Sequence, residues 1–178
     1  KIFKNSKIIA HGIDKNLKKK FWHRIATLPG HNFRMPNHLA ALGINQLKQL
    51  SKFNKKRNLI AKKYNKFLKE FSDIFEIQTL SNDTTHSYQM YTFLVKKNMR
   101  DNLLHFLNKN KIEASAHFDP PLHQQKYLKK YYKTKLKNTD ILSSQIITLP
   151  IYPLLKNSEI NYITKVIKRW YSYNYEKK

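Results

Sequence analysis

The chain predicts one long helix followed by a small α+β domain. Between Pro36 and Phe71, apolar residues such as Leu39, Leu42, Leu50, Ile60, Tyr64 and Leu68 recur every three or four positions. That is the period of a helix with one apolar face. Beyond Phe71 the pattern shortens to runs rich in aromatic and β-branched residues, notably Tyr88–Val95 and Ile146–Leu149, which suit strands. Helical stretches with their own start and stop signals alternate with those runs, so strands and helices share one core. The expected organisation is a lead-in over 1–35, a connecting helix over 36–71, an α+β domain over 72–173 and a tail over 174–178.

Each element has its local reason. Lys1–Ala10 suits a short helix that ends at Gly12, and Lys15–Lys20 reads as a solvated basic loop. Pro36 fits the first turn of the long helix, where a missing N–H costs nothing. Nothing from Gly43 to Phe71 breaks it. Ile74–Ile77 is a strand candidate, Ser81–Thr85 a turn cluster, and Tyr88–Val95 the central strand. Asn98 is expected to cap a helix over Met99–Lys109, with Leu103, Leu104 and Leu107 as its stripe and Asn110 as its stop. Ile112–Phe118 is expected as another strand, halted by Pro120-Pro121. Thr139 is expected to cap a short helix through Ser144, and Ile146–Leu149 is the last strand. Asn157 or Ser158 caps the terminal helix, whose apolar face is Ile160, Ile163, Ile167 and Trp170. From Ser172 onwards the chain is expected to fray.

Composition narrows the classes of function. A chain of 178 residues holds about one core. Cysteine is absent, which excludes disulfides and thiolate metal sites and makes the cytoplasm the expected compartment. The longest apolar run, Ile146–Leu155, is broken by two prolines and far shorter than the roughly 20 residues of a membrane span. Net charge is +24, from 35 Lys+Arg against 11 Asp+Glu. Such a balance ordinarily points to nucleic acid or an anionic surface. Here only five of those cations are arginine, the lysines lie along every helix, and asparagine and isoleucine are also abundant. AT-rich coding favours Lys, Asn and Ile together, so nucleic acid is not the expected partner. No G-x-S-x-G, phosphate-cradling glycine loop or paired carboxylates occur.

The segment Gly30-His31-Asn32-Phe33-Arg34-Met35-Pro36 carries the most chemistry. It sets an amide and a guanidinium ahead of a helix N-terminus, where free N–H groups and the dipole favour an anion. A phosphate or carboxylate fits that donor set. The bland reading is that Asn32 caps a turn and Arg34 pairs with a surface carboxylate. His117 and His123 bracket Phe118-Asp119-Pro120-Pro121, a loop stiffened by its prolines. No third ligand has the spacing a metal needs, so no metal is expected. An ordinary hydrogen-bonded histidine is as good a reading of each.

Five blocks of sequence resemble, in order, those of the DegT/DnrJ/StrS sugar aminotransferases, which depend on pyridoxal 5′-phosphate (PLP). The family reads G-x-N-x-R-M and then A-A-x-G-x-x-Q-L, matched here by Gly30–Met35 and by Ala40-Ala41-Leu42-Gly43 with Gln46-Leu47. His11-Gly12 resembles its H-G, and His86–Tyr91 its H-S-Y-x-x-Y strand. Ala114–His123 resembles its G-I-x-x-S-x-H-F-x-P-x-H segment, and Leu149–Pro153 its L-P-x-Y-P.

The resemblance implies an α/β fold of the aspartate-aminotransferase type, of which this chain is the C-terminal portion. Residues 1–35 are then the end of a large domain and an interface strap. It implies transfer of an amino group from an amino-acid donor, glutamate by expectation, to a nucleotide-linked keto-sugar for polysaccharide biosynthesis. Asn32 is expected to reach the PLP phosphate of a neighbouring subunit, giving a homodimer with shared active sites, with Arg34 beside it. His117, His123 and His11 are expected to line the substrate side, although a helix C-terminal cap is an equal reading of His11. The Schiff-base lysine lies upstream of Lys1 in this scheme, so the segment alone is expected to be inactive. Two alternatives belong to other classes: a non-transaminating regulator or dehydratase of the family, and a basic nucleic-acid-binding protein.

Overall fold

The computed structural model describes residues 35–176, apart from 82, 97, 129 and 132–134. The chain divides into two compact units, Lys1–Lys48 and Gln49–Lys178. Helix α1 (Asn37–Lys69) begins directly after Pro36, whose carbonyl accepts the Ala40 N–H at 3.0 Å. Only its later turns are buried, through Ile60, Ala61, Tyr64 and Leu68. Leu39, Leu42, Leu47 and Leu50 are all exposed, Leu47 at 69%. The periodicity thus gave the helix, while the first half of the apolar stripe meets no described partner. Gly43 faces open space, since a Cβ there meets no atom within 4 Å.

Three short strands follow the order β1-β2-β3, all antiparallel: β1 (Phe75–Ile77), β2 (Tyr91–Val95) and β3 (Ile146–Leu149). Phe93 is the register centre, opposite Ile77 on one side and Ile147 on the other. Alternation along β2 buries Tyr91, Phe93 and Val95 on one side of the sheet. Helices α2 (Arg100–Lys109) and α4 (Asn157–Tyr171) pack on each other, and α2 also meets β3. Helix α3 (Lys137–Gln145) packs on β2. The predicted face of α4 is the buried one: Ile160, Ile163, Ile167 and Trp170 all lie in the core.

Several boundaries differ from expectation. Asn98 does not cap α2; it adopts φ 56°, a left-handed conformation that asparagine tolerates, and Met99 is the capping residue. Asn110 does end that helix, donating its side-chain amide to the Phe106 carbonyl at 2.8 Å. Ile112–Phe118 forms no strand, only a single bridge between Ser115 and Thr148. The Ala114 N–H is taken up locally by the Ile112 carbonyl at 2.8 Å, which bends the chain away from a ladder. Helix α3 starts two residues before Thr139, with Leu136 at the cap. Neither Asn157 nor Ser158 caps α4; the Glu159 carboxylate instead accepts the Lys156 N–H at 2.7 Å. The tail from Ser172 docks: residues Ser172–Glu176 form a π turn, and the Tyr175 ring lies 5.9 Å from Trp170.

Two core tyrosines make the fold sensitive to alkali. Tyr64 donates to the Pro150 carbonyl at 3.0 Å, Tyr91 to Asn65 Oδ1 at 2.6 Å, and their rings lie 4.9 Å apart. Burial, then neighbouring phenols, raises both hydroxyls above their ordinary value of 10.0. The native state therefore keeps protons that the unfolded chain releases above pH 10. This stability is whole below pH 10 and falls as pH rises, by about 1.4 kcal/mol per pH unit for each tyrosine. Urea midpoints taken between pH 9 and 11.5 should show that slope, and Tyr64→Phe should remove about half of it.

Candidate functional site

The loop between Ser115 and Gln125 is built around its two histidines. His117 Nδ1 lies 3.1 Å from Ser115 Oγ and 3.1 Å from Thr148 Oγ1. Hydroxyls both donate and accept, so this cradle holds the ring in either tautomer. Nε2 has no protein partner among the described residues, which leaves it available to a ligand. The Phe118 ring stands edge-on to the imidazole at 5.4 Å and is 66% exposed. His123 is held differently. Its Nε2 meets Asp140 Oδ1 at 2.8 Å, and the same oxygen accepts the Gln124 amide at 2.6 Å. His123 thereby ties the loop to α3.

Further bonds fix the loop between the histidines. Arg100, at the start of α2, places Nη2 2.5 Å from Asp119 Oδ2. Its Nε lies 2.7 Å from Asp101 Oδ1, an ion pair at an angle that makes no hydrogen bond. Ser143 Oγ donates to the Phe118 carbonyl at 3.0 Å, and the Gln125 amide to the Pro120 carbonyl at 2.8 Å. A cavity of about 540 Å³ opens between this loop and α3, with His117, Phe118, Leu122, His123 and Leu142 among its walls. Its lining is mainly apolar with a few polar groups, the character of a small-molecule site.

Both loop histidines named from the sequence thus come together on one cavity. Asn32, Arg34 and His11 lie outside the described residues. The helix that follows Asn32 and Arg34 has no acidic residue in its first turn, so its N-terminus presents no competing carboxylate to an anion. His86 takes no part in the cavity; its Nδ1 accepts the Tyr88 N–H at 2.9 Å beside α1. Tyr91 is a core residue, and Tyr152 pairs at 3.5 Å with Glu159, its hydroxyl raised by desolvation and that carboxylate. Sequence reasoning missed Arg100, Ser115, Asp119, Asp140 and Thr148. One signal existed: an arginine in the first turn of a helix opposes the dipole and implies a compensating partner.

These features define part of an aminotransferase fold. The chain belongs to the DegT/DnrJ/EryC1/StrS aminotransferase family, whose model matches residues 3–168. It is 30% identical over 155 residues to GDP-perosamine synthase of Escherichia coli O157:H7, covering 86% of this chain and 40% of that protein. Helicobacter pylori PseC, an aminotransferase involved in the biosynthesis of pseudoaminic acid, superposes with TM-score 0.74 at 25% identity, over 90% of this chain and 43% of PseC. NtdA from Bacillus subtilis, solved with bound cofactor PMP, gives 0.73 at 26% identity, over 92% and 38%. The fold expected from the resemblance is borne out. The chain spans about 40% of the length of the curated relatives it matches. Among the described residues no helix is long and apolar enough to cross a membrane.

Proposed function

We propose that this chain is the C-terminal part of a cytoplasmic, PLP-dependent aminotransferase that moves an amino group from glutamate to a nucleotide-linked keto-sugar. The observation that carries this reading is the convergence of His117 and His123 on one cavity, in a chain of a sugar-aminotransferase family. PLP, when bound, supplies the electron sink for amino-group transfer. Asn32 and Arg34 hold its phosphate by charge-assisted hydrogen bonds, and the anion-compatible start of α1 suits that role. The lysine that bonds the cofactor comes from the rest of the polypeptide, so this segment alone is inactive. His11 shapes the cleft, while His117 and the apolar wall around Phe118 and Leu122 receive the sugar nucleotide.

The active molecule is a homodimer in which Asn32 serves the partner's cofactor. Two features support an interface along the first half of α1: exposed Leu39, Leu42, Leu47 and Leu50, and an unobstructed Gly43. A charge of +24 draws in an anionic nucleotide-sugar by steering. Asn32→Ala in the full-length protein tests the assignment. Loss of one hydrogen bond to a charged group is worth about 1.5–3 kcal/mol, so PLP affinity should fall roughly tenfold or more. Unchanged cofactor retention during dialysis would remove Asn32 from the site.

A further inference from the structure

Among the described residues, and apart from the core tyrosines and Trp170, three polar or charged side chains are buried: Arg100, Ser143 and Thr148. They come from three different elements, α2, α3 and β3. All three direct hydrogen bonds at one segment, Ser115–Asp119. Thr148 exchanges backbone bonds with Ser115 at 3.2 and 2.7 Å and meets His117 Nδ1. Ser143 holds the Phe118 carbonyl, and Arg100 holds the Asp119 carboxylate. Buried polar burial of this kind is costly unless each group is satisfied. Its concentration on five residues, two of which (His117 and Phe118) wall the cavity, is therefore informative.

From this we infer that Arg100 is a positioning residue, clamping Asp119 so that His117 and Phe118 stand ready for the nucleotide-sugar. The inference rests on the functional reading above for the identity of the ligand, but not for the clamp itself. Stability alone does not call for a charged pair here. Only Arg100 is buried; the Asp119 side chain is 39% exposed, and an ion pair with one partner at the surface adds little to stability. Charge at this position also works against the helix: the α2 dipole opposes a cation at its first residue, and Asp101 and Asp119 offset it. What the pair adds is direction. A planar guanidinium donates along fixed lines, so its bond from Nη2 sets where Asp119 Oδ2 sits. Ser143 and Thr148 grip the same segment from the other elements, leaving His117 little freedom to shift.

The test uses the full-length protein with R100M, D119N and the double variant R100M/D119L. The double variant removes the buried guanidinium together with its exposed partner, so no charge stays buried and unpaired, and it is expected to melt close to the parent. Binding of UDP and of GDP is measured by calorimetry, and histidine ring resonances are assigned by single His→Gln changes. In R100M/D119L the His117 resonance should move, the His105 resonance on the far side of α2 should stay, and the tighter of the two nucleotides should lose about tenfold in Kd. An unmoved His117 resonance together with unchanged nucleotide affinity overturns the clamp, whatever happens to R100M and D119N. If the parent binds neither UDP nor GDP, the functional reading falls instead, and the His117 resonance alone decides for or against the clamp.

Discussion

Trp170→Ala should lower the free energy of unfolding by about 3–5 kcal/mol, the range for deleting a large buried aromatic. The indole is 1% exposed and joins three parts of the domain. Its ring stacks near Phe75 of β1 at 6.1 Å and meets Tyr175 of the C-terminal π turn at 5.9 Å. Its N–H donates to Asn102 Oδ1 of α2 at 2.6 Å. Truncation leaves a cavity at the junction of helix and sheet, strips Asn102 of its donor and undocks the tail. Against a typical total of about 5–15 kcal/mol, such a loss is a large share. Trp170→Phe keeps most of the apolar contact and leaves the exposed Asn102 to water, so it should cost less, about 0.5–1.5 kcal/mol for the lost hydrogen bond. Urea unfolding at constant m-value measures both. A shift below 1 kcal/mol for the alanine variant would mean that the ring is not the junction.

The same residue shows what was legible in the sequence. Trp170 ends an apolar face at three- and four-residue spacing, and that face is buried as the period requires. The central place of β2 was legible from its aromatic and β-branched run, because such side chains suit a strand buried by its neighbours. Capping was less legible. Asn98, Thr139 and Asn157 are the residue types that cap helices, yet each lost to a neighbour whose backbone sat at the right place. Ile112–Phe118 has strand composition, but one local bond from Ala114 to Ile112 diverts it. The tail looked polar because tyrosines, asparagine and serine alternate there, and its docking depends on the Trp170 edge 5 residues away.

At the candidate site, the histidines were legible and their supports were not. His117 and His123 stand in a proline-stiffened loop, which marks them in one dimension. Arg100, Asp140 and Thr148 lie between 17 and 31 positions from their partners in the loop, and nothing in local pattern encodes such pairing. The two histidines also turned out to differ. His123 is committed to Asp140, whereas His117 leans on neutral hydroxyls and keeps a ring nitrogen free of described protein partners.

That difference predicts unequal consequences for the proposed reaction. Under the proposed function, His117→Ala in the full-length protein should lower kcat/KM for the nucleotide keto-sugar about 100-fold, the lower end for a group that binds or exchanges a proton in the transition state. The half-reaction with the amino-acid donor, followed by cofactor absorbance without sugar, should stay within about twofold, because the function proposed above puts the imidazole held by Ser115 and Thr148 on the sugar side. Folding should be little affected, since the two hydroxyls left behind can bond each other or water, at a cost of about 1 kcal/mol. His123→Ala acts only through loop position and should lose less, roughly tenfold, with Asp140→Asn matching it because both break the same tie. Equal losses in both half-reactions for His117→Ala would assign that residue to the cofactor or to the fold. Equal losses for His117→Ala and His123→Ala in the sugar half-reaction alone would mean that the imidazole touches no substrate and that the loop works only as a wall.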